Sequence, residues 1–434
     1  MDSTPFPTAT LHPDTQAVLL LCGTFAKGKG SPAKPLTPSE YNALAAWLGR
    51  RGKRPAALLE APEGSLSLDE PGLPAADRIR ALLGRGFQMA AAVEGWHRLG
   101  LWVISRAEDC YPERLRRHLR SAAPPLLYGA GDISRLNGGG LAVVGSRDVD
   151  EEGLSFTRRV AQRCAGQGVQ IISGGARGVD QTAVATALEA NGGAVVVLAD
   201  RLDRTATSRD AKEPLRAGLL TLVTPYEPES GFTIAKAMSR NKYIYALADS
   251  ALVVRFTTGK GGTWAGAIEQ LGRNKSASVR VPVFVRVANN PADGWSELQR
   301  KGALSFPGEN FWRDNILEML KQAASPPGPR TETMDPSVIP GEAASPPAAA
   351  VEPDTCYHRC LPLLLQSFQQ EIGIKQLPEI AKKLHLLRAQ LEDWLQRAVE
   401  EGKLVKQKKK GRIVYVAASA VAEQTLFDRD GDAA

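Results

Sequence analysis

Residues 141–180 read LAVVGSRDVDEEGLSFTRRVAQRCAGQGVQIISGGARGVD, and their order decides the fold. A short aliphatic run, Leu141–Val144, breaks at Gly145-Ser146-Arg147. A helical stretch from Gly153 to Ala165 follows. A second apolar run, Val169–Ile172, then enters a glycine-bearing turn, Ser173–Asp180. Strands covered on both faces read as near-continuous apolar runs, and parallel neighbours need a crossover helix between them. The stretch is therefore a β-α-β unit.

The rhythm continues downstream. Ala194–Leu198, Leu219–Val223, Ala251–Val254 and Val281–Val285 predict four more strands, and Asp180–Ala190, Ile234–Leu247 and Thr263–Leu271 predict helices. Strands alternating with helices give an α/β fold with a parallel sheet. Ligands of such sheets bind at the C-terminal strand ends, so chemistry is expected in the loops there.

Four of these loops are informative. Gly145-Ser146-Arg147 combines a residue that lets backbone approach a ligand with a hydroxyl and a cationic fork, which suits phosphate. It is not GxGxxG, so a dinucleotide reading gains nothing. The loop Ser173-Gly174-Gly175-Ala176-Arg177-Gly178-Val179-Asp180 opens a helix, where free amides attract anions. Asp180 is expected to cap that helix or to orient Arg177. The helix after Gly231-Phe232 carries Ser239-Arg240-Asn241-Lys242 near Tyr243 and Tyr245. Cations among aromatics suit a single-stranded nucleic acid; a solvated helix face with core tyrosines would read the same way. Arg255 is followed by Thr257-Thr258-Gly259-Lys260-Gly261-Gly262-Thr263, a second glycine-rich, basic helix entrance whose Lys precedes the last glycines instead of following them as in a P-loop. Together these loops predict a phosphate-containing ligand.

The first 120 residues look mostly helical. Thr37-Pro38-Ser39-Glu40 is a helix-start signature with a capping hydroxyl, Pro at the first position and Glu three residues after the cap. Asp77–Leu83, Gly84, Gly86 and a stretch through Trp96 suggest a helix, turn and helix of the helix–hairpin–helix or SAM-like kind, or a plain packing module. Residues 121–322 hold the sheet. Residues 323–354 are a Pro/Ala-rich linker. Residues 355–420 have a winged-helix pattern, with Leu404-Val405 and Ile413–Val416 around Lys408-Lys409-Lys410-Gly411, and residues 421–434 form a tail. The lysines could meet phosphate, but Glu392, Asp393, Glu400 and Glu401 make the helix expected at Arg388–Glu401 a poor groove reader.

The 434 residues carry a formal net charge of +7, which permits nucleic-acid binding without proving it. No apolar run approaches the roughly 18–20 residues of a membrane span, and no signal peptide is expected. Five scattered cysteines suit a reducing cytosol. Cys356, His358 and Cys360 lack the ligand pair that would complete a zinc site. A soluble cytoplasmic protein with no cofactor is expected.

The ordered motifs resemble the DNA-processing protein A family, also called DprA or Smf. The resemblance rests on Ile104-Ser105-Arg106, Asp109-Cys110-Tyr111-Pro112-Glu113-Arg114-Leu115, Pro124-Pro125-Leu126-Leu127-Tyr128-Gly129, Val143-Val144-Gly145-Ser146-Arg147, the Ser173–Asp180 loop, Ser239–Lys242 and Gly259–Thr263. It covers roughly residues 99–290. It implies an extended Rossmann-like sheet between a SAM-like domain and a winged helix. It also implies single-stranded DNA binding and a homodimer that helps load the recombinase RecA in natural transformation, and a non-enzymatic DNA-binding protein is expected. The DNA-facing residues carried over are Gly145, Ser146, Arg147, Gly174, Gly175, Arg177, Arg240, Asn241, Lys242 and Lys260, and the loop readings add Ser173, Gly261, Gly262 and Thr263.

The chain departs from the pattern in places. Arg255 stands where the family usually has an acid, and Ala237-Met238 stand for its Phe-Pro. Val285-Arg286-Val287 lacks the Pro-Gly ending, and Ala183-Val184-Ala185 lacks the common His. These changes suggest a divergent branch, one acting outside transformation, for instance in defence against mobile DNA. Two other readings use the same loops: a nucleotide-sensing module with a winged-helix output, and a nucleotide hydrolase resembling the "lonely guy" enzymes through Gly261-Gly262-Thr263 and Glu269.

Overall fold

A computed structural model describes residues 11–25, 33–60, 68–276, 279–287, 295–308 and 315–324, with parts of 372–417. The β-α-β rhythm becomes a sheet of nine strands. They are β1 (Trp102–Ser105), β2 (Leu126–Ala130), β3 (Leu141–Val144), β4 (Ile171–Ser173), β5 (Ala194–Val197), β6 (Leu220–Thr224), β7 (Ser250–Val253), β8 (Val283–Val285) and β9 (Leu304–Ser305). Their spatial order is β1-β2-β6-β5-β4-β3-β7-β8-β9. From β6 to β9 all pairings are parallel; β1 and β2 are antiparallel additions at one edge. The order turns back between β3 and β7, the kind of switch point where an open α/β sheet offers a crevice.

The helices are α1 (Pro13–Cys22), α2 (Pro38–Arg50), α3 (Ala57–Glu60), α4 (Ala76–Leu83), α5 (Gly86–Arg98), α6 (Glu113–Leu119), α7 (Glu151–Gly166), α8 (Val179–Glu189), α9 (Leu202–Ala206), α10 (Arg209–Arg216), α11 (Ile234–Leu247), α12 (Gly261–Ser276), α13 (Trp295–Arg300) and α14 (Ile316–Ala324). They cover both faces. Alternate residues of a strand point to opposite sides. Leu141 and Val143 thus pack with Val160 of α7 and Ala183 of α8, while Ala142 and Val144 pack with Leu115 of α6, Ile244 of α11 and Ala267 of α12.

The N-terminal helices join the same body. Thr37 and Glu40 close a reciprocal capping box at α2. Trp47, Ile79 and Trp96 share one core with Tyr128, Val196 and Leu222 of the sheet. Buried Asp14 accepts from Arg54 Nε at 2.7 Å and from the Ala56 amide at 2.9 Å. No described helix is long and apolar enough to cross a membrane.

Helices α1 to α6 make the described part of the first 120 residues mostly helical, and the short strand β1 is the exception. Trp102 is the reason. Its indole lies over Gly129 and donates to the Gly131 carbonyl at 2.9 Å, holding the strand to its neighbour. A four-residue edge strand has too little periodicity to announce itself beside long helices.

The chain divides into two compact units, Met1–Thr331 and Glu332–Ala434. In the second unit, β11 (Leu404–Lys409) and β12 (Arg412–Ala417) form a hairpin, and β10 (Ile372–Gly373) adds to β12. Leu391, Trp394 and Leu395 are buried. Lys408 and Lys409 pair within the strands and do not belong to a turn. The Cys356–Cys360 cluster, most of the linker and the tail at 421–434 lie outside the described residues.

A Cβ at position 129 would overlap both the Trp102 ring and the Leu222 carbonyl oxygen. Gly129→Ala should destabilise the fold by about 1–3 kcal/mol, the usual size of an overpacking effect. The urea midpoint of unfolding reads this directly, and an unchanged midpoint would contradict the packing described.

Candidate nucleic-acid interface

Three loops meet at the C-terminal ends of β3, β4 and β7. Gly145 sits at the junction. Its amide donates to Asp180 Oδ1 at 3.2 Å, and its carbonyl accepts from Thr263 Oγ1 at 3.0 Å. The Ser146 amide donates to the Arg255 carbonyl at 2.8 Å. Gly178 has φ +86°, and a side chain there would strike the backbone of Ser146 and Arg147. Only glycine takes this conformation without strain, so the second loop can lie against the first.

Asp180 has a different role from the one expected. It is buried and neither caps α8 nor touches Arg177. Its carboxylate accepts the amides of Gly145 and Gly174, each at 3.2 Å, and so ties the first two loops together. Burial pushes its carboxyl up to about 6, against the pull of the Arg240 charge and the amides of Gly145, Ala176 and Gly174. The anion cradle expected at Ser173–Asp180 is therefore filled by the protein's own carboxylate.

The loops enclose a cavity of about 570 Å³. Gly145, Ser146, Arg147, Arg240, Asn241, Lys260, Gly261, Gly262 and Thr263 of the expected residues line it. Arg147 has its guanidinium 5.7 Å from the centre of the Phe232 ring. Neither Arg147 nor Lys260 forms an ion pair among the described residues. Asn241 donates to the Gly262 carbonyl at 2.9 Å and fixes the start of α12. The first-turn amides of that helix have no intrahelical acceptor and carry its positive end.

Four expected residues behave differently. Ser173 is buried, and its hydroxyl donates to the Val143 carbonyl at 2.6 Å, bracing two strands. Arg177 points outward toward Asp148 at 3.7 Å and does not line the cavity. Lys242 stands over the Tyr243 ring at 5.1 Å on the side of Glu269 and Arg273; burial and Arg273 lower its pKa while Glu269 opposes this. Arg240 is only 6% exposed, packed beside Gly174, and lines the cavity from beneath. Burial lowers its pKa, and Asp180 opposes that. Its Nε and Nη1 find no hydrogen-bond partner among the described residues. Tyr243 and Tyr245 are core residues.

A second cavity, about 790 Å³, lies beyond Arg147 and Phe232, which line both. Gly174, Gly175 and Arg240 border it too, and it carries Asp200 from the end of β5. Sequence reading passed over Asp200 because no glycine marks its loop, although its place after a strand was signal enough.

The family profile described as "DNA recombination-mediator protein A" matches residues 102–314. That segment belongs to this family. The chain is 33% identical over 174 residues to protein Smf of Escherichia coli, a match covering 39% of this chain and 46% of that one. The chain thus spans less than half of this curated relative. Among solved structures, DNA processing protein A from Streptococcus pneumoniae matches with TM-score 0.49 and 20% identity, over 68% of this chain and 94% of that one. DNA processing protein A from Helicobacter pylori, solved for its single-stranded DNA binding mode, matches with TM-score 0.42 and 25% identity, over 51% and 96%.

The Asp180 carboxyl, raised above its ordinary range of about 4, takes up its proton in the native state before the unfolded chain does. Its ionisation therefore erodes stability as pH rises from about 4 to about 6, and the loss is complete above that. Asp180→Asn should flatten this fall when urea midpoints are compared between pH ~4 and ~7. Parallel profiles for parent and variant would show that Asp180 ionises normally.

Proposed function

We propose that this protein binds single-stranded DNA without enzymatic turnover. The observation that carries the reading is the convergence of two cations without ion pairs among the described residues, Arg147 and Lys260, with the start of α12 on one cavity. Phosphate is the anion such a set accommodates: the fork of Arg147 gives paired donors, and Lys260 gives a mobile point charge. Around the mouth, Phe232, Ile234 and Met238 are exposed large apolar residues lining the same cavity. A free phosphate has no use for these, but an unpaired base does. Cations on the backbone and apolar faces under the bases are how single strands are held.

The family resemblance extends the proposal to a cytoplasmic homodimer that shields single strands and hands them to RecA in recombination, DNA uptake or defence against mobile DNA. A fluorescence-anisotropy titration with oligo-dT tests the binding. Arg147→Ala and Lys260→Ala should each weaken it about tenfold and make the salt dependence shallower by about 0.7 in log–log slope for each phosphate no longer neutralised. Mononucleotides should compete poorly. Tight mononucleotide binding would instead favour a sensor, release of base or phosphate would favour an enzyme, and parental affinity in both variants would remove the site.

A further inference from the structure

The two cavities on either side of Arg147 and Phe232 differ in charge. The first has Arg147 and Lys260 and the start of α12. The second has an apolar floor, Val196, Leu198 and Leu222, with Val184 and Leu188 of α8 beside it. Its rim carries carboxylates, Glu189, Asp200 and Asp210. The Gly174 amide at its edge is already given to Asp180. Arg147 and Arg240 border it as well, but three carboxylates stand against these two cations, so a phosphate is better placed in the first cavity, where Arg147, Arg240 and Lys260 face Asp180 alone.

A base is suited where a phosphate is not. Arg240 lies between the cavities, lines both, and is buried with Nε and Nη1 unpartnered. Asp200, half-buried, makes no hydrogen bond or ion pair among the described residues and feels the Arg240 charge. A cationic donor and a half-exposed carboxylate bordering one cavity over an apolar floor match a flat ring with both kinds of polar edge. A carboxylate accepts best from two adjacent N–H groups. Guanine alone among the four bases offers that pair, on N1 and N2, together with the O6 and N7 acceptors that arginine reads.

We infer that the second cavity is a base-reading subsite of the same strand, in which Asp200 accepts from the Watson–Crick edge of an unstacked guanine and Arg240 donates to its acceptors, while the phosphate stays with Arg147 and Lys260. This rests on the single-strand reading given above and adds a base preference to it. Asp200 is a specificity residue here; thymine offers it one N–H and adenine one amino group.

The experiment compares two oligonucleotides of roughly 15 nucleotides, one all thymidine and one alternating thymidine and guanosine, by anisotropy on the full chain. The guanosine-bearing strand should bind at least about fivefold tighter, the low end for a paired base-edge contact. In Asp200→Asn, and separately in Val184→Trp, which fills the cavity from α8, the ratio should fall to about one. The ratio is read within each protein, so a general loss of affinity cancels, and thermal unfolding shows that each variant is folded. Equal binding of both strands by the parent overturns the proposal, as does a guanine preference surviving in both variants. Failure to bind either strand would sink the single-strand reading itself and this inference with it.

Discussion

The Asp180 carboxylate is the constraint on which the site depends. A buried carboxylate is costly unless its oxygens are satisfied, and here each takes a backbone amide from a different loop, Gly145 after β3 and Gly174 after β4. The third loop joins through the other side of Gly145, whose carbonyl accepts from Thr263 of α12. One glycine is thereby fixed at both its amide and its carbonyl. The rim is set before any ligand arrives, which lowers the ordering cost of binding. Gly174 matters in a second way. A Cβ there would overlap the Arg240 guanidinium and crowd Asp180, so the charge pair can lie beneath the loop only while the position stays bare.

Charge is sorted around this junction. Arg255 faces Asp150 at 3.7 Å, Arg177 faces Asp148 at 3.7 Å, and Arg114 meets Asp249 at 2.7 Å. Arg286, buried behind α7, pairs with Glu152. These cations are engaged within the protein. Arg147 and Lys260 keep their charge for the cavity. A net charge of +7 says little by comparison, because exposed pairs contribute weakly and are screened by salt, whereas a cation without a partner in a cleft focuses field on what enters it.

The sheet was legible where strands are buried on both sides. Leu141–Val144 reads as a strand and is one, and the five runs after it fall within one or two residues of β4 to β8. The antiparallel edge was not legible, because β1 owes its place to Trp102 resting on Gly129, a contact between residues far apart in sequence. At the site, the glycine turns were readable because their conformation is demanded locally. Direction was not. Ser173, Arg177, Arg240 and Lys242 sit in strong motifs, yet one braces a strand, one faces outward, one lies beneath the loops and one lies toward α12. Helix phase and packing decide such matters, and neither is written in the motif.

The departures from the family pattern have a physical reading. Where the family has Phe-Pro, this chain has Ala237-Met238 inside α11, and the Ala237 amide donates to the Thr233 carbonyl at 3.1 Å. A proline at position 238 would lack the N–H that a helix running from Ile234 needs there, so such a helix could not begin so early. With alanine and methionine the extra turn forms, and Ile234 and Met238, four residues apart, fall on one face and project at the cavity mouth. Methionine is unbranched and adapts its shape to what it touches. The early start of α11 thus places a helical ledge of adaptable apolar side chains at the cavity mouth. Such a ledge, with Phe232 beside it, gives the cavity mouth an apolar rim above the polar groups deeper in the site.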